Sequence, residues 1–159
     1  MSEQIAKKFV EALGRLEAER DLEAITALFA EESEIGNVVS PEKFRGPAGA
    51  RDFWGSKYRD TFGEVRSTFR NVFAAGNRAA LEWTTEGTAN DGTPVAYDGV
   101  SILETEGGRI TRFCAYFDAG RLGRQILHQS GGAAPRRGAW RRGRRGSVRA
   151  GWRGSARRA

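Results

Sequence analysis

The sequence of 159 residues has a single cysteine, Cys114, and a single histidine, His128. A lone cysteine cannot close an internal disulfide, and one Cys with one His falls short of the ligand set of a zinc site. No run of about 18 apolar residues is present for a membrane helix, and the first residues lack the basic-then-apolar pattern of a secretory signal. We therefore expect one soluble, cytoplasmic domain with no disulfide, no metal and no other cofactor.

Acidic residues are missing from the C-terminal segment. Residues 129–159 contain ten Arg, no Lys and no acid, whereas residues 1–128 contain 16 basic and all 20 acidic groups. The body thus has a net charge of −4 and the tail one of +10. Because the Gly- and Ala-rich tail has few apolar side chains to bury, we predict a domain over 1–128 and a disordered Arg/Gly-rich tail over 129–159.

Two interpretations of the tail stay open. Its arginines, with Trp140 and Trp152, could bind nucleic-acid phosphates and bases without sequence preference. The simpler alternative is an extension without a function, since many Arg among Gly and Ala is typical of GC-rich DNA translated in an unintended frame.

The first half of the body has helical spacing. A first helix is predicted from apolar residues three and four apart, namely Ile5, Phe9, Ala12, Leu13 and Leu16. Asp21 can cap a second helix, which carries Leu22, Ile25, Leu28 and Phe29 and pairs with the first as a hairpin. A third helix begins at Pro47, because proline in a first turn loses no hydrogen bond, and its inner face holds Ala50, Phe53, Trp54, Tyr58 and Phe62.

From residue 64 onward, apolar residues recur at every second position. This predicts four strands, over 65–74, 79–88, 94–104 and 109–117. The breaks between them are short and contain the Gly or Asn that hairpin turns need, which indicates an antiparallel meander. Helices on one face of such a sheet predict an α+β domain that can enclose a pocket.

The chain from about residue 5 to 127 resembles the SnoaL-like branch of the nuclear transport factor 2 superfamily. The stretches that carry the resemblance are 21–25, 28–31, 44–46, 80–83, 108–113 and 115–118. The superfamily includes ketosteroid isomerases and limonene epoxide hydrolases, and the SnoaL type includes polyketide cyclases. The resemblance implies a cone-shaped barrel, in which three N-terminal helices pack on a curved antiparallel sheet around an apolar pocket, and frequently a homodimer formed through the outer sheet face.

The catalytic residues of these relatives are largely absent from the matching positions. In ketosteroid isomerases the two oxyanion donors and the base align with Phe9, Ser101 and Asn37, so the base and the tyrosine donor are missing. In epoxide hydrolases the last-strand aspartate aligns with Ala115, two residues after Phe113. The Arg and the other Asp of that set fall near Glu82 and Thr84, with the register open by one or two residues.

Strand alternation and helix spacing then suggest the pocket lining. If Phe113, Ala115 and Phe117 face the pocket, Arg112, Cys114 and Tyr116 face the other side. Trp54 and Tyr58, four residues apart on the third helix, share a face and are expected at the pocket mouth. For all of these aromatic residues, simple core packing is the competing interpretation.

Glu82 is the candidate acid-base residue. A carboxylate on the inner side of a strand would be desolvated and its pKa raised. If Leu81 and Trp83 point inward instead, Glu82 lies on the outer face, and this alternative is slightly favoured. Asp118 is expected to cap the turn after the last strand.

The predicted function is that of a SnoaL-like domain that binds a small, mostly apolar molecule in its barrel pocket. One hypothesis makes it an isomerase, cyclase or hydratase that uses Glu82, with Tyr58, Asn37 or Ser101 positioning an oxygen. A second makes it a non-catalytic ligand-binding or dimerisation module. The third, nucleic-acid binding, involves the tail alone.

Overall fold

The residues with apolar spacing at the N-terminus form helix α1 (Ser2–Glu19), which buries Ile5, Phe9 and Leu16 against the sheet.

The computed structural model describes residues 1–130. Within that range no helix is both long and apolar enough to cross a membrane. The predicted tail lies beyond it from residue 131 onward, so its disorder and its nucleic-acid binding stay predictions.

The second helix is shorter than predicted. Helix α2 (Glu23–Thr26) is one turn long and has Leu22, not Asp21, at its N-cap. The Asp21 carboxylate accepts from the backbone amide of Glu23 at 3.1 Å, two residues further on, which is the bond of an Asx turn. The prediction that Leu28 and Phe29 continue the helix is wrong. Phe29 begins strand β1 (Phe29–Asn37), because the Ile110 amide donates to the Leu28 carbonyl at 2.8 Å and draws this segment into the sheet.

The third helix changes its winding as it approaches the sheet. A two-residue strand β2 (Phe44–Arg45) leads into α3 (Gly46–Arg51), with proline in its first turn as predicted. The chain continues as a π-helical segment (Asp52–Tyr58) and a 3-10 turn (Arg59–Thr61). Wide π turns are uncommon and often occur at functional sites, and this one carries Trp54 and Tyr58.

Four long elements of the sheet follow, and a helix closes the described chain. They are β3 (Phe62–Ala75), β4 (Arg78–Ala89), β5 (Pro94–Glu106), β6 (Arg109–Phe117) and α4 (Ala119–Ser130). The predicted meander is confirmed, with Gly76, Gly92 and Gly107 at positive φ in its hairpins.

The sheet has six strands rather than four. Its order is β2-β1-β6-β5-β4-β3, and every neighbouring pair is antiparallel except β1 with β6. The predicted α+β class is confirmed, as a curved sheet that does not close, with helices on one face. The outer face exposes apolar side chains, among them Phe73 and Tyr116.

Candidate ligand-binding pocket

A cavity of about 310 Å³ lies between the helices and the inner face of the sheet. It is of the size that small-molecule sites have. Its lining is mostly apolar and consists of Phe9, Leu13, Asn37, Phe53, Trp54, Lys57, Tyr58, Thr61, Phe62, Ser67, Phe69, Trp83, Thr85, Ala89, Val95, Tyr97, Ser101, Phe113, Ala115, Phe117, Leu122 and Ile126.

Aromatic rings in edge contacts build the cavity wall. Trp54 is central to one group, with ring centroids 5.6 Å from Phe9 and 5.0 Å from Phe113. Tyr97 joins a second group, 5.4 Å from both Trp83 and Phe117. Because such edge-to-face packing fixes ring positions, the wall is shaped before any ligand arrives.

Helix α4 closes one side of the cavity with Leu122 and Ile126. Asp118 accepts from the Arg121 amide at 2.9 Å, which confirms its predicted capping role. The Gln125 amide group bonds both the N–H and the C=O of Ala96, at 2.8 and 2.7 Å. Ala96 lies beyond the last residue of β6 that pairs with β5. Gln125 therefore takes the place of a strand neighbour and holds α4 against the sheet.

A buried carboxylate stands behind the cavity wall. Glu17 of α1 is only 6% exposed and is not itself part of the lining. Its Oε1 accepts from the Ser67 amide at 2.9 Å, and its Oε2 accepts from the Tyr58 hydroxyl at 2.6 Å and the Ser67 hydroxyl at 2.7 Å. The Thr85 hydroxyl lies 2.7 Å from that of Ser67. Since Tyr58, Ser67 and Thr85 all line the cavity, the network connects the carboxylate to it.

Both tyrosines of this region stay protonated under ordinary conditions. Burial and then the charge of Glu17 raise the pKa of Tyr58 well above its usual value. The same two causes, in the same order, raise the pKa of Tyr97. Tyr97 is directly opposite Thr85 in the register of β4 and β5. Among the described residues its hydroxyl has no hydrogen-bond partner.

Ser101 and Asn37 form a second polar region of the lining. The Trp83 indole donates to the Ser101 hydroxyl at 2.9 Å, which leaves the serine its own proton. Asn37 Oδ1 accepts from the amides of Val39 and Ser40, so its NH₂ group is free to donate. Ser101 and Asn37 both pair with Ala115 in the sheet register, which places them on the same transverse row.

The structure brings together seven of the nine residues predicted from the sequence. They all line the cavity, and they are Asn37, Trp54, Tyr58, Ser101, Phe113, Ala115 and Phe117. Their part in binding a ligand stays a prediction. Of the three residues expected on the opposite side, Cys114 is a buried free thiol and Tyr116 is exposed.

Glu82 and Thr84 are the two predicted residues that lie elsewhere. Leu81 and Trp83 point inward, so the alternation of β4 places Glu82 on the outer face, as the alternative interpretation had it. There Glu82 accepts from Asn71 at 2.9 Å and from Arg70 at 2.7 Å, and these hydrogen bonds, that from Asn71 first, lower its pKa. The geometry required for Glu82 as a pocket acid is therefore absent, and Thr85 takes the lining position expected of Thr84.

The sequence contains signals for two polar groups of this region that were not predicted, Glu17 and Thr85. Glu17 lies four residues after Leu13 and eight after Phe9, so it continues the buried stripe of α1 as a charged residue on an apolar face. Thr85 follows Leu81 and Trp83 at the two-residue spacing of inward side chains. Within residues 1–130 no group of three His, Cys, Asp or Glu side chains is placed to hold a metal ion.

The protein-family model described as "SnoaL-like domain" matches residues 6–113 of this sequence, which is more than half of the chain. The protein belongs to the SnoaL-like domain family. No match was found among curated proteins.

Several solved structures share the fold. An LEH-like epoxide hydrolase of M. tuberculosis is 19% identical, with a TM-score of 0.62, over 80% of this chain and 90% of that one. TerC, co-crystallised with polyporic acid, is 20% identical, with a TM-score of 0.68, over 79% and 98%. An NTF2-like protein of unknown function from Burkholderia pseudomallei is 23% identical, with a TM-score of 0.69, over 79% and 96%. These likenesses concern the fold, since proteins on one fold can differ in chemistry.

Proposed function

We propose that the protein binds a small, mostly apolar molecule in the cavity between its helices and sheet. The observation that carries the proposal is a cavity of about 310 Å³ whose wall is largely aromatic and contains a few polar groups. Enclosed apolar pockets with few polar groups are the usual form of small-molecule sites. TerC, one of the structural neighbours, was co-crystallised with polyporic acid.

Calorimetric titration of the full chain with a panel of apolar ketones, lactones, epoxides and fused-ring aromatics tests this proposal. Ala115→Leu fills part of the cavity and is expected to weaken every binder by at least tenfold. Ala74→Leu, the same change at an exposed position of β3, is the matched control and is expected to change nothing. If no compound binds, or if both variants bind equally well, the cavity is not a ligand site.

A catalytic role of the isomerase, cyclase or hydratase sort is the second candidate. Its support is the chain of hydroxyls that leads from the cavity to a carboxylate, with oxygens 2.7 Å apart from Thr85 to Ser67 and from Ser67 to Glu17. Such a chain can pass a proton between a bound molecule and Glu17. Glu17 thus takes the place that the sequence suggested for Glu82.

Turnover measurements on the same panel separate the enzyme from the binding module. Glu17→Gln keeps the side-chain shape but removes the proton acceptor, so any turnover is expected to fall by two orders of magnitude or more. Glu82→Gln makes the same chemical change on the outer face and is expected to leave turnover intact. Binding without turnover of any compound would favour the non-catalytic alternative.

A further inference from the structure

The directions of the hydrogen bonds around Glu17 determine what the cavity offers to a ligand at this point. A backbone amide can only donate, so the Ser67 N–H marks Oε1 of Glu17 as an acceptor. Oε2 receives the hydroxyls of Tyr58 and Ser67 at 2.6 and 2.7 Å, which is the short range of bonds to a carboxylate. Each hydroxyl has one proton, and both protons are directed to Glu17.

The next bond in the network is then also fixed in direction. The Ser67 hydroxyl donates its only proton to Glu17. Since the Ser67 and Thr85 oxygens are 2.7 Å apart, Ser67 must accept from the hydroxyl of Thr85. Thr85 therefore also turns its proton away from the cavity. The oxygens of Tyr58 and Thr85 present lone pairs to the cavity and have no proton left for a ligand.

Tyr97, by contrast, can donate a hydrogen bond to a ligand. It faces Thr85 across the β4–β5 register, and among the described residues its hydroxyl has no partner. The raised pKa of Tyr97 keeps that proton in place. Two acceptor oxygens and one donor hydroxyl thus line the same cavity. Besides burial, Glu17 raises the pKa of both tyrosines, and Tyr97 raises that of Tyr58, as groups that are near one another in space do.

We propose that this group of three hydroxyls, Tyr58, Thr85 and Tyr97, binds a neutral hydroxyl group of the ligand. That group donates to the lone pair of Thr85 or Tyr58 and accepts from Tyr97. A hydroxyl has one proton and two lone pairs, so it satisfies both kinds of partner at once. An ether can only accept, and a carboxylate would bring a negative charge close to Glu17. The inference rests on the proposed binding function and names the chemical class of ligand, an uncharged phenol or alcohol on an apolar skeleton.

The test compares 2-naphthol with 2-methoxynaphthalene. These fused-ring probes differ in that the oxygen carries a proton in the first and a methyl group in the second. Binding to the full chain is measured by isothermal titration calorimetry at neutral pH. The naphthol is expected to bind about fivefold more tightly, the effect of roughly one neutral hydrogen bond. Thr85→Val combined with Tyr58→Phe, which keeps both shapes and removes both acceptors, is expected to cut this ratio to below two.

Thr84→Val is the matched control, because Thr84 is on the outer face and bonds Arg70 and Asp98 there. It should leave the ratio at about five. Equal affinity of the two probes for the unchanged protein would overturn the inference while leaving the binding function in place. An affinity ratio that stays at about five in the double variant Thr85→Val with Tyr58→Phe would also overturn the inference and leave the binding function in place. Failure of both probes to bind would remove the binding function and the inference with it.

Discussion

The hydroxyl of Tyr58 donates to the carboxylate of Glu17 at 2.6 Å across 41 positions of sequence. The bond joins the C-terminal part of α1 to the π-helical segment and brings a charged group up to an aromatic wall. Ser67 of β3 donates twice to the same carboxylate. Helix, π turn and sheet are thus tied together at one buried residue.

Removing that carboxylate should destabilise the fold. Glu17→Ala leaves a buried amide and two hydroxyls without their acceptor, so we expect the free energy of unfolding to fall by about 3 kcal/mol. Urea denaturation followed by circular dichroism measures it. Glu82→Ala, which removes a half-buried outer-face carboxylate, should have a much smaller effect. Equal losses in the two variants would contradict a special role for Glu17.

Alkaline pH should lower the stability of the folded protein through the ionisation of Tyr58. Burial and the neighbouring Glu17 raise its pKa in the folded state above the unfolded value of 10.0. Above that pH the unfolded chain loses this proton while the folded chain retains it, so stability is fully present below pH 10 and declines as the pH rises further. Urea midpoints measured from pH 8 to 11 should show the decline. A shallower decline is expected for Tyr58→Phe, and an unchanged one would refute the assignment.

Gly99 should not accept a side chain. A methyl group there would collide with the indole of Trp83 and with the Tyr116 carbonyl. We therefore expect Gly99→Ala to displace Trp83 from Ser101, reduce ligand binding and cost about 2 kcal/mol. Gly14 on the exposed side of α1 has open space around it, and Gly14→Ala should instead stabilise by roughly 0.5–1 kcal/mol. Thermal melts of both variants provide the comparison.

Loss of the Gln125 contact should loosen α4. Gln125→Ala removes both hydrogen bonds to the backbone of Ala96. The Ala96 amide is then expected to exchange its hydrogen more than tenfold faster, and any pocket ligand to dissociate faster. Gln125→Glu is the informative companion, because a carboxylate can still accept from the amide but cannot donate to the carbonyl. If exchange at Ala96 is the same in all three proteins, Gln125 does not hold the helix.

The outer sheet face remains the predicted homodimer surface. Phe73 is 66% exposed there, and Tyr116 is also more than a third exposed. We propose that a second copy covers these side chains, because large exposed apolar residues on a sheet favour burial. Sedimentation velocity should show a dimer that Phe73→Arg converts to a monomer. A monomeric unchanged protein would end this proposal.

Local patterns determined most of the fold. The spacing of apolar residues defined α1, and a proline in the first turn marked the start of the third helix. Alternation with Gly-containing breaks defined the four long strands. The same alternation correctly placed Phe113, Ala115 and Phe117 on the inner side of β6. These features depend on neighbours one to four positions apart, which a sequence shows directly.

Long-range pairing decided the rest. The one-turn α2 and the early start of β1 follow from hydrogen bonding between Leu28 and Ile110, more than 80 positions apart. Whether Glu82 or its neighbours Leu81 and Trp83 face the pocket depended on the register of β4, because a shift by one residue reverses which side chains point inward.

The sequence by itself determined that this chain forms an α+β domain with an aromatic interior and without a disulfide. Only the tertiary structure decided which carboxylate lies behind the cavity wall. Glu17 lies on the first helix, and its partners Tyr58 and Ser67 come from two later elements. Thr85, which bonds Ser67, comes from a third. The energy of a buried charge depends on the groups that surround it in space, and no local pattern along the chain contains that information.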